Sequence, residues 1–598
     1  MQNPNSATER IKNHLAYKLG QAMIEYNKNG RGYLALFKKF YNIKKQHKKE
    51  KLIYQETNKV FPTLKYPELK HCPDYNEALK CYFHLSYMLG EALMKADKAK
   101  FMGGYFNLNK YIKKAKKEFK LFQEFFKEFG QINSNTIEDI AKNKQLFLKE
   151  FPKIKNLLNT HKDYKPIIDN IFHNFDYVIK NFNLIEEWLL SNDFNEKYKK
   201  ENHPYPSLLD PKKLNDENEE INYTNIPAEL AWEMNLPLPD NYEFAILQTF
   251  CSGCMAFIHF FGKCNMHVGI NEKVWNSGRE AYLANYQPLL KRNFLLYIPH
   301  IFNEEYNKFH FTIKKNIKIL FIVRDPISVI KTSINHFNND ATFANTKKYM
   351  KEIKIENFNF HFKTLFPKIL YGIDKLEKPD ITQLDKIDKL NDLENKITFF
   401  KKNITKNMIC INFNDLSKNS AFETFKKLSK KLNFKEPSIE YEYYFKSQVV
   451  SKTLLLPVKI IIENYEFIIA RPVNIDKNDK YFNLTKYIFN SDFILDDIYI
   501  IIKENDVNLL FKNNIIWDKT KTFIKKYIFY YKEYDKQVSC DLINENKILN
   551  YLKENKKSAV NIRNIINKEL NFIKCHRPDI VASWKYYQEF EKICKELD

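Results

Sequence analysis

Apolar positions in the first 200 residues recur every three to four places. Leu15, Leu19, Ala22 and Met23 fall on one helical face, with polar residues opposite. This period predicts helices to about residue 200, with few breakers. From residue 243 the pattern changes to short continuous apolar runs: FAILQTF at 244–250, FLLYI at 294–298, IKILFIV at 317–323 and MICINF at 408–413. Helical stretches such as MAFIHFF separate them. Buried strands alternating with helices predict an α/β fold with a parallel sheet covered on both faces. The charged segment 375–405 reads as an insertion. Beyond 450, LLLPVKIIIENYEFIIARPV has the texture of strands, and 520–598 reads as mostly helical.

An internal repeat opens the chain. HLAYKLGQA at 14–22 recurs as HLSYMLGEA at 84–92, and each copy is followed by a Gly-Tyr pair, Gly32-Tyr33 and Gly104-Tyr105. Each then enters a Lys/Phe/Tyr-rich stretch. Every unit reads as a helical hairpin whose glycines allow close packing or a turn. Two copies are too few for a solenoid, so the repeats suggest a docking module. Their basic amphipathic halves suit a membrane surface or a partner, and equally an ordinary solvated face. Prolines 204, 206, 211, 227, 237 and 239 mark extended linker and domain entry. The expected organisation is a helical module at 1–125, a helical connector at 126–205, an α/β core at 206–450, and a mostly helical region at 451–598 that completes the core.

Composition narrows this picture. At roughly one domain per 150 residues, 598 residues suggest about four domains or fewer larger ones. The 44% hydrophobic content excludes global disorder. Only 12 residues are glycine, which excludes glycine-rich architectures. A net charge of +23 admits anionic partners. The excess is mostly lysine in an Asn/Ile/Phe-rich chain, as coding drift would produce, and no nucleic-acid motif accompanies it. Nine irregularly spaced cysteines argue against a disulfide framework. With neither an apolar leader nor an uncharged apolar run of about 18 residues, the expectation is a cytoplasmic protein, peripheral at most to the inner membrane.

The chemistry gathers after the strands. Cys251-Ser252-Gly253-Cys254 is a tight turn between a strand and a helix, the place where backbone N–H groups receive phosphate or sulfate. Arg324 ends the third strand, and Thr332 and Ser333 follow eight and nine positions later. A guanidinium fork and a hydroxyl there suit one anion, although an arginine pairing with Asp325 or capping a helix is the plainer reading. His300 follows the second strand.

Together these segments resemble the P-loop sulfotransferase superfamily over roughly 240–440. The turn 250–255, the YIPHI segment at 297–301, Arg324-Asp325-Pro326 with Thr332 and Ser333, and NFNDL at 412–416 before a helix match its order and spacing. Arg577 with Trp584-Lys585 echoes that family's C-terminal segment without its glycines. The resemblance implies donor phosphate binding by Cys251, Ser252, Gly253 and Cys254, and a second anionic group held by Arg324 with Thr332 or Ser333. Arg577 and Lys585 join that donor site, and His300 acts as general base. One departure matters. The family has a cation just before Ser-Gly, whereas this chain has Cys251. Lys263, Arg279 and Lys585 are the candidates to replace it.

The repeat and the endings LLLPVKI and HRPDIVASWKYYQEF resemble campylobacter-type capsule-locus transferases, a group that includes O-methyl phosphoramidate transferases. That resemblance implies capsule biosynthesis by polysaccharide modification. Its donor is a nucleotide-activated co-substrate, cytidine diphosphate-linked phosphoramidate, in place of the sulfotransferases' 3′-phosphoadenylyl sulfate. Its acceptor is a capsular polysaccharide, it implies a peripheral contact with the inner membrane or the capsule machinery, and it implies no tightly bound cofactor. Glycosyl transfer is the third reading, although no DxD-type site stands out. Cys251, Cys254, Cys264 and His267 have zinc-like spacing, but the apolar helix between the pairs would separate them, so no metal is expected.

Overall fold

The computed structural model describes residues 3–29, 33–99, 104–129, 134–269, 272–337, 352–355, 366, 369–372, 374–447, 456–471, 475, 480–489 and 498–597. These form two compact units, 1–237 and 238–598.

The first unit is helical. Each repeat is a hairpin, α1 (Leu15–Asn29) with α2 (Tyr33–Val60), and α3 (Leu85–Lys98) with α4 (Leu108–Glu128). Helices α1 and α3 cross at the repeated glycine. A Cβ on Gly20 would lie 1.7 Å from the Ser86 carbonyl oxygen, and one on Gly90 1.7 Å from that of Ala16. The backbones therefore touch, and only glycine fits at either position. The flanking residues pair reciprocally: His14 stacks on Tyr87 at 5.6 Å, and the Tyr17 hydroxyl lies 3.1 Å from His84 Nδ1. Each histidine meets the other repeat's tyrosine, so the duplication folds as a pseudo-twofold pair.

The proline-rich segment belongs to this unit. Leu208 and Leu209 are fully buried, the Asn170 amide donates to the Pro206 and Met234 carbonyls, and the Trp188 indole donates to Ser207. The expected domain entry at 206 thus gives way to a division at 237/238, because 206–237 supplies its backbone acceptors to the helices.

The second unit carries two sheets. Strands β1 (Phe244–Leu247), β2 (His267–Val268), β3 (Phe294–Ile298), β4 (Lys318–Val323) and β6 (Met408–Asn412) form a wholly parallel sheet in the order β2-β3-β1-β4-β6. All four residues of β1 are buried. The chain leaves β1 towards β2 and leaves β4 towards β6, so the connections part between β1 and β4. That is the switch point where open α/β sheets bind ligands. The second sheet, β5 (Glu352–Lys354), β7 (Val458–Ile462), β8 (Tyr465–Ala470), β9 (Tyr481–Asn483) and β10 (Tyr499–Lys503), is mixed, in the order β5-β7-β8-β10-β9. The region after 450 therefore opens with strands and the short helix Thr485–Ile488, and is mostly helical from 504 onward. Its alternating strands pack an isoleucine-rich face against the 28-residue helix Asn514–Asp541.

Gly90→Ala is expected to cost at least ~3 kcal/mol in denaturant unfolding, since overpacking against backbone cannot be relieved by a rotamer change. Gly262→Ala, whose Cβ would meet nothing within 4 Å, is expected to be neutral or to stabilise by about 0.5–1 kcal/mol. Equal effects of the two changes would show that α1 and α3 are not in backbone contact.

Candidate functional site

The loop after β1 is built for tight curvature. Cys251 and Gly253 both have left-handed backbone, with φ of 57° and 89°. Gly253 then opens the helix Cys254–Gly262 without a side-chain cap, which leaves that helix's first N–H groups at the loop. Ser252 is buried, and its hydroxyl turns back to the Phe250 carbonyl at 3.2 Å. A second clamp comes from Asn391. Its side-chain amide pairs with both the N–H and the carbonyl of Phe250, as a neighbouring strand would. Asn391 is itself fixed by Glu569, whose carboxylate accepts the N–H groups of Asn391 and Leu393.

Arg324 leaves β4 at this loop. One terminal nitrogen, Nη1, donates to the Cys251 carbonyl at 2.9 Å and to the Thr332 hydroxyl at 3.1 Å. The guanidinium carbon lies 4.3 Å from the centre of the Phe413 ring, which also covers Gly253. Nε and Nη2 have no partner among the described residues. Arg324 thus braces the loop to the helix Pro326–Ile334 and still has two donors for an anion. Thr332 shares this contact. Ser333 makes no hydrogen bond to Arg324 among the described residues, because one position along a helix turns a side chain by about 100°. Burial, opposed by Arg324, pushes the Cys251 thiol up to about 12. The group is a thiol at neutral pH and not a nucleophile.

His300 stands just beyond β3. The Gln248 side-chain oxygen accepts from the Trp275 indole at 2.9 Å and from the His300 backbone N–H at 3.2 Å, and it lies 3.0 Å from His300 Nδ1. An indole N–H can only donate, so this oxygen is the acceptor and His300 Nδ1 carries the proton. Nε2 keeps the lone pair. The Phe250 ring lies 5.6 Å from the imidazole, which places His300 at the same loop. Burial, reinforced by Lys396, lowers His300 to about 4, so the ring is neutral at physiological pH.

The loop 250–254, Arg324, Thr332 and His300 therefore share the carboxyl edge of β1, β4 and β3. Arg577 and Lys585 are placed differently. Arg577 caps the outer edge of β6 through the Cys410 carbonyl and pairs with Asp579 at 2.7 Å. The side chain of Lys585 is 73% exposed and pairs with Glu589. Of the other expected cations, Lys263 lies at the far end of the helix from the loop, over the Tyr444 ring, and Arg279 pairs with Glu280. Among the described residues no three His, Cys, Asp or Glu side chains converge on a metal position. A nine-residue helix separates Cys251 and Cys254 from Cys264 and His267. Among the described residues no helix is long and apolar enough to cross a membrane.

One residue of this neighbourhood escaped sequence reasoning. Lys396, on the helix Leu393–Asn403, is 2% exposed, and its charge acts on both His300 and His310. Nothing in its local sequence separates it from the solvated lysines around it.

Two family profiles match the chain. Residues 1–121, the duplicated module, match a domain of unknown function (DUF8374), and residues 410–597 match a protein of unknown function (DUF2972). No curated protein and no solved structure matches.

The buried histidines set an acid limit. His310 is fully buried among Phe302, Phe399 and Phe400, and burial with Lys396 lowers it to about 3. The unfolded chain takes up these protons near the ordinary value of about 6.5, and the folded chain does not. Stability is therefore expected to be full above pH 6.5 and to fall as pH drops towards 4 and below. His310→Phe should flatten that fall in melting curves recorded against pH. An unchanged pH dependence would show that His310 titrates normally.

Proposed function

We propose that the 238–598 unit is a group-transfer enzyme with a core of the P-loop sulfotransferase kind. It moves a tetrahedral anionic group from a nucleotide-linked donor to a sugar hydroxyl of a capsular or surface polysaccharide. The group proposed is of the O-methyl phosphoramidate type. What supports the reading is the meeting, at the switch point of a parallel sheet, of an anion-sized turn, a guanidinium with two open donors and an imidazole with its base nitrogen unprotonated.

The chemistry follows from these parts. His300 Nε2 takes the proton of the acceptor hydroxyl as its oxygen attacks phosphorus, and a new O–P bond forms. The bridging O–P bond to the nucleotide breaks in line, and its electron pair leaves with the nucleotide phosphate. The loop N–H groups and Arg324 face the oxygens on which charge develops. An anion bound beside His300 raises its basicity from the low value of the empty pocket, so base strength arrives with the donor. Cys251 in place of the sulfotransferases' cation favours phosphoryl over sulfuryl transfer as the activity.

The test is incubation of the protein and a desubstituted capsular glycan with cytidine diphosphate-linked O-methyl phosphoramidate, and separately with 3′-phosphoadenylyl sulfate. Phosphorus should appear on the glycan, and His300→Ala should lower the rate by roughly 10²–10⁴-fold. Sulfate incorporation, or elongation of the glycan from a nucleotide sugar, would overturn the assignment of the group.

A further inference from the structure

The turn at 250–254 lacks a cation, and the position of Lys396 answers that lack. Helix Leu393–Asn403 is tied to the turn, since Asn391 just before it grips the Phe250 backbone. Lys396 is buried to 2% and makes no hydrogen bond or ion pair with any described residue. Taking an ammonium from water costs several kcal/mol unless an opposite charge meets it. The carboxylates that act on its charge are Glu569 and Asp392, neither of them within ion-pair distance, and both oxygens of Glu569 also accept backbone N–H groups. The remaining neighbours are His300, His310 and Lys389, none of them an anion. Both ring nitrogens of His310, the other imidazole on which the Lys396 charge acts, are buried without a partner.

We propose that Lys396 supplies the cation missing from the turn and binds the phosphate of the nucleotide donor beside His300. This rests on the transferase reading above and names the residue that makes it workable without a lysine at 251. It also assigns a chemical class to the ligand, a nucleoside carrying two phosphate charges. The probes are cytidine 5′-diphosphate and adenosine 3′,5′-bisphosphate, titrated calorimetrically into the full chain. One of them should bind the wild type. Lys396→Met and Lys396→Gln should weaken that binding at least tenfold, and Lys396→Arg should stay within about threefold. Wild-type binding with unchanged affinity in Lys396→Met would overturn this assignment alone. Equal losses in Lys396→Arg and Lys396→Met would also overturn it by making the residue structural. Failure of the wild type to bind either nucleotide would overturn the assignment and the transferase reading together.

A separate observation concerns the first unit. In α2, residues 34, 37, 41, 45, 48 and 52 form one ridge at spacings of three and four. Leu34, Phe37, Tyr41 and Leu52 on it are 88%, 57%, 65% and 58% exposed, and Lys45 and Lys48 between them form no ion pair among the described residues. The opposite side, with Phe40 and His47, faces inward. The second repeat presents its equivalent of Leu34, Phe106, at 95% exposure, just ahead of the lysine-rich α4. We infer that this ridge docks on an anionic lipid surface, because exposed apolar side chains and a pair of lysines lie along the same line. Full-length protein should sediment with vesicles containing phosphatidylglycerol and not with phosphatidylcholine alone. Phe37→Ser with Leu34→Ser, or Lys45→Glu with Lys48→Glu, should reduce bound protein at least fivefold. Equal binding to both vesicles, unaltered binding of the variants, or a self-association that the same variants abolish would overturn it.

Discussion

One carboxylate, Asp325, holds the edge of the parallel sheet together. Its Oδ1 accepts the Ile327 N–H and so caps the helix that follows β4. Its Oδ2 accepts the N–H groups of Tyr586 and Tyr587, in the first turn of the helix Lys585–Leu597. Two helix starts, each bearing partial positive charge, thus converge on one negative group. Burial pushes this carboxyl above its ordinary value, and the backbone donors oppose that push. Around it, Asn412 bonds Ser583 and Trp584, and Glu545 joins Ser328 to Lys331. The late helices are therefore fastened to the carboxyl ends of β4 and β6.

The same electrostatics explains the residue at 251. Arg324 presses its guanidinium against the Cys251 carbonyl, and the loop beside it is closed by Phe413. A lysine at 251 would bring a second cation against Arg324 in a buried setting, where like charges repel most strongly. A neutral thiol avoids the conflict. The arginine spends one nitrogen on the protein, so part of a residue typed as a ligand serves as scaffold.

Much of the sheet was legible because buried parallel strands are continuously apolar. FLLYI at 294–298 is β3, and β4 and β6 fall within the runs read from the sequence. The strand read at 244–250 stops at 247, where the loop begins. His300 and Arg324 were visible because each directly follows such a run. Strand β2 was not, since two residues carry no period. Strand β9 sits in a polar, charged stretch where only pairing with β10 makes it a strand, and the buried Ile500–Ile502 run of β10 is too short to stand out ahead of a long helical region. Lys396 was hidden for a related reason: among charged neighbours in sequence a buried lysine has no signature until the fold takes it out of water. Arg577 misled because a motif echo fixes order along the chain and not direction in space.

The struts of the pocket have one property in common. Phe250 reaches Asn391 across 141 positions, Asn391 reaches Glu569 across 178, and Asp325 reaches Tyr586 across 261. Contacts so distant in sequence carry a large loop-closure penalty and form late in folding. The strands that carry the recognisable segments can pair long before the cavity between them has its shape. A shortened chain that keeps every motif residue but not these anchors would hold the right letters around an unassembled cleft. In this protein the shape of the loop after β1 is a property of the finished topology, because its anchors come from the far end of the chain.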